Sequence, residues 1–273
     1  MFRDRLREAL NYPELRGLDL DRLEVTIQRR EIARRDPPTR YAFSLWYKSL
    51  AEAGKAAPQG LHVEIGAGGG FLEEFVPGLI KTEVEKFPFT DVVCRAEEMP
   101  FADESVSCLY MVNVLHHIEE PSAFFREAGR VLCPGGRIAM IEPTVTPFSR
   151  LVYTYLHHEP FDSKAKWNLP PAGRLSGGND AMPWIIFWRD RRLFEQQFPC
   201  FRIKEAYQHD CLVHFLSGGV TTRSFLPTSA LRILATLEKT LPFIQPVFAL
   251  FQTVIVEKTR AAGRSTSCEL GSP

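Results

Sequence analysis

Glu64-Ile65-Gly66-Ala67-Gly68-Gly69-Gly70-Phe71-Leu72-Glu73-Glu74-Phe75 runs from a short apolar stretch into a glycine turn and on into a predicted helix. Glycines at 66, 68 and 70 let the backbone turn with positive φ and let a ligand lie against main-chain atoms. A dinucleotide fingerprint would place its third glycine at position 71, where Phe71 stands. Glu64 at the strand end, with Glu73 and Glu74 just beyond the loop, repels a pyrophosphate and attracts a cation. The loop therefore predicts a cationic ligand without phosphate; the plain alternative is a strand-to-helix turn that holds nothing.

S-adenosylmethionine fits that description, with a sulfonium, an ammonium group and no phosphate. Glu64 could attract the ammonium directly or through water, while Gly66, Ala67, Gly68 and Gly70 offer main chain. An acid about 20 residues further on usually accepts hydrogen bonds from ribose hydroxyls. Glu83 is preferred over Glu85 because it lies nearer the carboxyl end of its strand; otherwise both are solvated strand-end acids. Asn113, Leu115, His116 and His117 follow the fourth strand, at the sheet edge where open α/β folds bind ligands. Asn113 joins the candidate cofactor set. His116 is the candidate base, since histidine titrates near neutral pH; otherwise it caps or packs the next helix. His157-His158-Glu159 predicts no metal site, because adjacent helical histidines diverge and no H-E-x-x-H spacing is present. With Tyr153, Asp162 and Trp184 the segment lines an acceptor pocket or simply packs a lid.

The elements that must position these residues are legible as texture. Residues 1 to 58 read as a helical N-terminal extension broken at Pro37-Pro38, with five arginines against two acids between Arg29 and Arg40. That run is a solvated helix face or touches an anionic surface. Residues 59 to 258 alternate short apolar runs with helical segments, the pattern of an α/β fold with a parallel sheet. Strands are expected at 61–65, 79–84, 91–95, 106–113, 137–142, 201–207 and 253–257, and helices at 121–132 and 190–198. Two insertions, 144–189 and 209–250, are too long for structureless loops and are expected to recognise the acceptor over the sheet's carboxyl edge. Leu231, Leu234, Leu237 and Leu241 in the second sit at helical spacing. Residues 259–273 read as a disordered tail.

Four segments taken together resemble class I S-adenosylmethionine-dependent methyltransferases of the type 11 group, related to quinone-biosynthesis enzymes. They are Val63-Glu64-Ile65-Gly66-Ala67-Gly68-Gly69-Gly70, Ala96-Glu97-Glu98-Met99-Pro100-Phe101-Ala102-Asp103, Val114-Leu115-His116-His117-Ile118, and Arg130-Val131-Leu132-Cys133-Pro134-Gly135-Gly136. The resemblance covers residues 61 to 142. It implies a Rossmann-like seven-stranded mixed sheet whose last two strands pair antiparallel, S-adenosyl-L-methionine as cofactor, and Ala96 or Glu97 beside the adenine. Arg95 stands where the family places an acid, and only seven residues separate Glu83 from Asp91, too few for a crossover helix. The expected reaction is in-line methyl transfer to a small-molecule or lipid-like acceptor. The competing readings are a catalytically silent binding protein of this fold and an NAD-dependent oxidoreductase.

Composition narrows the rest. Apolar residues make 45% and charged residues 24% of 273, which sets aside collagenous, disulfide-scaffold and largely disordered classes. Lys plus Arg equal Asp plus Glu at 33 each, so no overall positive field gathers nucleic acid. Six cysteines without a C-x-x-C pair, a charged N-terminus without a signal-peptide core, and an apolar run at 243–256 too short for a bilayer all point to a cytoplasmic protein. Peripheral membrane contact stays open, and oligomeric state is not legible.

Overall fold

The computed structural model describes residues 9–19, 21–157, 159–169 and 177–259. Leu20, His158 and the tail from 260 onward lie outside them. Two helices come first, α1 (Leu23–Arg35) and α2 (Pro37–Lys55). Pro37-Pro38 does not interrupt a helix but begins one. Proline fixes a helical φ where the first-turn N–H groups need no partner, and the Asp36 carboxylate caps the turn by accepting from Thr39 N at 3.0 Å.

Seven strands follow: β1 (Leu61–Ile65), β2 (Ile80–Glu83), β3 (Val92–Val93), β4 (Val106–Val112), β5 (Leu132–Pro143), β6 (Phe201–His209) and β7 (Phe251–Lys258). Their order is β3-β2-β1-β4-β5-β7-β6, parallel from β3 to β5, with β7 antiparallel to both neighbours. This is the expected mixed sheet with its terminal antiparallel pair. Side chains alternate between two cores with period two: Leu109, Met111, Ile138 and Met140 face one, and Cys108, Tyr110, Ala139 and Ile141 the other. The helix α3 (Pro121–Val131) covers the first face with Phe124, Phe125 and Ala128.

The opposite face is covered differently from the expected α/β alternation. The β1–β2 connection holds only a 3₁₀ turn at Leu72–Glu74 where a helix was expected. The helix α2 takes over that face, burying Phe43, Trp46, Tyr47 and Leu50 against Phe71, Leu72 and Tyr110. Cys133-Pro134-Gly135-Gly136 ends α3 and is absorbed into an irregular start of β5, where the register shifts between Val106 and Cys108.

Both insertions carry structure of their own. The first forms α4 (Pro147–Tyr155) and, after a loop, a helical turn at Met182–Trp184 that runs into a π-helical turn at Ile185–Arg189. Ile185, Ile186 and Phe187 join the first core beside Phe194 of α5 (Arg191–Gln197). The second insertion forms α6 (Val213–Ser217), α7 (Thr228–Thr240) and α8 (Gln245–Phe248). Val213 and Ala235 pack on Ala42 of α2, so part of the leucine stripe serves helix packing. Among the described residues no helix is long and apolar enough to cross a membrane.

Candidate functional site

The carboxyl ends of β1, β2, β4 and β5 gather most of the candidate residues. Gly66 (φ +64°) sits so close to Val114 that an added Cβ would come within 2.8 Å of its side chain. Gly68 (φ +41°) is different: a Cβ there would meet only the Glu83 carboxylate and Gly66 O, both at 3.6 Å, so the position has free space on its exposed side. Ala67 N donates to Thr82 O at 3.0 Å, and Gly68 N donates to Glu83 Oε1 at 2.8 Å. These bonds tie the loop to the end of β2. Glu83, the last residue of β2, is buried against the loop, while Glu85 is exposed. Gly70 serves packing instead, since a Cβ there would lie 2.6 Å from Tyr47 Oη, which accepts from Phe71 N at 3.3 Å.

Glu64 is 3% exposed, and its Oε2 has no hydrogen-bond partner among the described residues. Burial, reinforced by Glu73, pushes its carboxyl up to about 8, with Arg30 acting in the opposite direction. Asn113, at φ +56°, also holds a buried Oδ1 without a partner. A buried carboxylate oxygen and a buried amide oxygen, both acceptors, thus flank a loop with room for a ligand at Gly68. Such groups cost free energy unless a donor reaches them, and an ammonium or hydroxyl would do so. The residues fit S-adenosylmethionine.

Glu73 and Glu74 do not supply the free negative charge expected of them. Arg30 of α1 donates to Gly70 O and pairs with Glu73, Arg34 pairs with Glu73 at 2.5 Å, and Arg40 pairs with Glu74 at 2.5 Å. The arginine run therefore neutralises the loop's acids and seats α1 on it. Arg30 also lies over the Phe89 ring, 4.3 Å from its centroid, which joins α1 to the β2–β3 loop. Ala96 is buried in the first core, and Glu97 pairs with Arg95 at 3.1 Å; neither has a described contact with the glycine loop.

His116 faces away from the loop into a second, buried cluster. Its Nδ1 lies 2.7 Å from Glu142 Oε2, and its Nε2 lies 3.1 Å from Glu159 Oε2. Burial alone would lower its pKa, but Glu159 and Glu142 raise it well above the ordinary histidine value. Both nitrogens are engaged, which leaves neither to take a proton from an acceptor. Glu142 Oε1 in turn accepts from Val114 N and Leu115 N at 2.7 and 2.8 Å, fixing the turn after β4. His117 is lowered by burial and by His116, and His157 is raised by Asp180, 2.9 Å away, against its burial. Tyr153, an expected pocket residue, is buried and donates to Leu250 O at 2.6 Å, so it packs the insertion. Sequence reading missed Tyr47, Arg30, Glu142 and Asp180. The arginine run was the one available signal among these, because the others act through contacts distant in sequence.

A family model described as a methyltransferase domain matches residues 63–140. The ubiquinone/menaquinone biosynthesis C-methyltransferase of Vibrio cholerae is 36% identical over 133 residues, which are 47% of this chain and 47% of that protein. The demethylmenaquinone methyltransferase of Streptomyces griseus is 29% identical over 153 residues, 50% of this chain and 62% of that one. The chain therefore spans only about half the length of the curated relatives it matches. A solved S-adenosylmethionine-dependent methyltransferase of Thermotoga maritima superposes with a TM-score of 0.51 at 18% identity, covering 86% of this chain and 99% of that one, and supports the fold. The glycine loop, Glu83, Asn113 and His116 fall inside the matched segment; α1, α2, Glu142, Glu159 and Asp180 fall outside it. Residues 63–140 thus match a methyltransferase domain set in the fold of S-adenosylmethionine-dependent methyltransferases, and the chain resembles methyltransferases of quinone biosynthesis.

Proposed function

We propose that the protein transfers a methyl group from S-adenosylmethionine to a small-molecule or lipid-like acceptor of quinone type, by carbon methylation. The observation that carries the cofactor part of this reading is the pair of buried acceptors without a partner among the described residues, Glu64 Oε2 and Asn113 Oδ1, beside the open flank of Gly68, while the acceptor and the carbon methylation rest on the likeness to the quinone-biosynthesis methyltransferases. When bound, the cofactor supplies a methyl group activated by its sulfonium leaving group. In this reading Glu64 attracts the ammonium, Glu83 accepts from the ribose hydroxyls, and Gly66, Ala67 and Gly68 present main chain. Alignment of acceptor and methyl can contribute about 7–11 kcal/mol, so the reaction does not depend on a strong base. His116 acts in this reading as a positioning residue, held by Glu142 beneath the turn that carries Asn113 and Val114.

Calorimetry with S-adenosylmethionine, S-adenosylhomocysteine and NAD tests the cofactor assignment. Binding of the first two and not the third is expected, and binding of NAD alone would overturn it. Incubation with methyl-labelled cofactor and separated lipid-soluble, small polar and RNA fractions tests the acceptor. Label is expected in the lipid-soluble fraction. Tight cofactor binding with no transfer to any fraction would favour a silent binding protein.

A further inference from the structure

The methyl-transfer reading gives the cluster under the first insertion one role, the positioning of a turn through His116, and leaves its other polar groups unused. His116 and His117 follow β4, and Glu159 and Asp180 come from the insertion; the ligand atoms of His116, His117 and Glu159 lie together, and Asp180 Oδ1 approaches His116 Nε2. His117 Nδ1 lies 2.6 Å from Gly177 O, a carbonyl that can only accept, so that nitrogen carries the proton and Nε2 presents a lone pair. His116 Nδ1 donates in the same way to Glu142 Oε2, so its Nε2 faces Glu159 and would exchange the proton it shares there for a metal ion. Both Nε2 atoms point at one carboxylate oxygen, Glu159 Oε2, at 3.1 and 3.7 Å. Two imidazole nitrogens facing an anionic oxygen in a buried pocket call for a cation between them, a shared proton in the ion-free protein and a metal ion when one is bound.

Asp180 gives an independent indication. Its side chain is fully buried, its Oδ1 has no hydrogen-bond partner among the described residues, and that oxygen lies 3.8 Å from His116 Nε2. Tetrahedral ligands with bonds of about 2.0–2.1 Å sit about 3.3–3.4 Å apart, close to the spacing of these atoms. An imidazole whose Nδ1–H is held by a carboxylate or a backbone carbonyl is the usual partner of a bound transition metal.

We propose that His116 Nε2, His117 Nε2, Glu159 and Asp180 bind one divalent transition ion of borderline hardness, Zn²⁺ fitting best. With four protein ligands and little exposure the site is structural: it clips the first insertion to the carboxyl edge of β4, next to the turn bearing Asn113. The site does not depend on methyl-donor binding.

The test uses the full chain without a histidine tag, stripped with a chelator, reloaded with Zn²⁺ and desalted. One tightly held Zn²⁺ per chain and a raised melting temperature are expected. His117→Gln and Glu159→Gln should lose the stoichiometric ion, and Glu142→Gln should weaken it about 10–100-fold by freeing the His116 ring. Co²⁺ loaded into the wild type should show the strong visible absorption of a four-coordinate site, which keeps the test decisive if a variant does not fold. No retained ion, equal uptake by wild type and both ligand variants, or the weak spectrum of six-coordinate Co²⁺ would overturn the proposal and leave a proton-sharing network only. S-adenosylhomocysteine affinity measured on the same samples reports separately on the methyl-donor site.

Discussion

Glu64 shows how one residue's environment sets a measurable behaviour. Its carboxyl, near 8 in the unliganded protein, is neutral over most of the physiological range, yet it must ionise to hold an ammonium. Binding then expels a proton, and each pH unit below 8 costs about 1.4 kcal/mol, or tenfold in affinity. Affinity for S-adenosylhomocysteine should therefore rise by up to about tenfold per unit between pH 5.5 and 7.5, below the range of roughly 7.7–8.0 where an α-amino group loses its own charge. Calorimetry in buffers of different ionisation enthalpy would detect the released proton, and Glu64→Gln should flatten the profile; a steep profile in that variant would exclude Glu64 as its source. The same raised value makes the neutral carboxyl's contribution to stability full below the ordinary carboxylate range and lost as pH climbs through about 8. Chemical denaturation of the unliganded protein should show that decline, and Glu64→Gln should reduce it. At the neighbouring strand end, Glu83→Ala should weaken ligand binding by about 1–3 kcal/mol because it removes both a charged acceptor and the anchor of Gly68 N. Glu85→Ala, at an exposed position, should stay within twofold. Equal losses in the two variants would remove Glu83 from the site.

Elements, rather than residues, decide how the loop is covered. The helix α1 rests on a satellite cluster of Tyr12, Leu15, Val25 and Ile32, while its grip on the glycine loop is ionic. The Arg30 side chain is 10% exposed and also satisfies Gly70 O, so Arg30→Ala strands a carbonyl and should cost about 1–3 kcal/mol in chemical denaturation. Arg34→Ala removes an exposed pair and should cost less than about 1 kcal/mol. Equal costs would mean that the two pairs are alike and that the Gly70 contact contributes nothing. At this scale the sequence was most readable where local physics ruled. The strand Leu61–Ile65 matches its expected limits, and α3 ends within a residue of its expected stop, because Pro121 and Pro134-Gly135 punctuate the chain by themselves. It was least readable where distant packing ruled. Glu73 and Glu74 were read as free charge because their arginine partners lie about 40 residues away. The expected helix after the glycine loop shrinks to a 3₁₀ turn because α2 occupies the face it would have covered. The His116–Glu142–Glu159 cluster draws on three segments whose spacing carries no motif.

Over the whole molecule, the apolar surface of the second insertion is only partly used for packing. Leu231 and Ala235 are buried, but Ile233 on the same helix is 65% exposed and Phe243 beyond it is 74% exposed. Leu237, Leu241, Val247 and Phe248 extend that surface along the chain, and Phe248 meets Phe148 of α4 with ring centroids 5.8 Å apart. Leu151, Tyr155 and Leu156 of the first insertion are exposed as well. Monomeric soluble proteins seldom leave a large contiguous apolar surface to water, and we propose that these residues form one face that meets the interface of a bilayer. In that proposal an acceptor with a long apolar tail would be met at the bilayer without extraction into water. The balanced net charge would make such a contact mainly hydrophobic, and salt should weaken it little. Sedimentation with phosphatidylcholine vesicles should show binding that Phe243→Ser with Ile233→Ser reduces by more than about tenfold, since each buried side chain is worth about 1.5–3 kcal/mol. Affinity for S-adenosylhomocysteine should not change in that variant, because neither residue lies at the glycine loop. If wild type and variant sediment alike, or if light scattering shows a wild-type dimer that the variant loses, the face meets another protein copy or nothing at all, and the membrane reading fails.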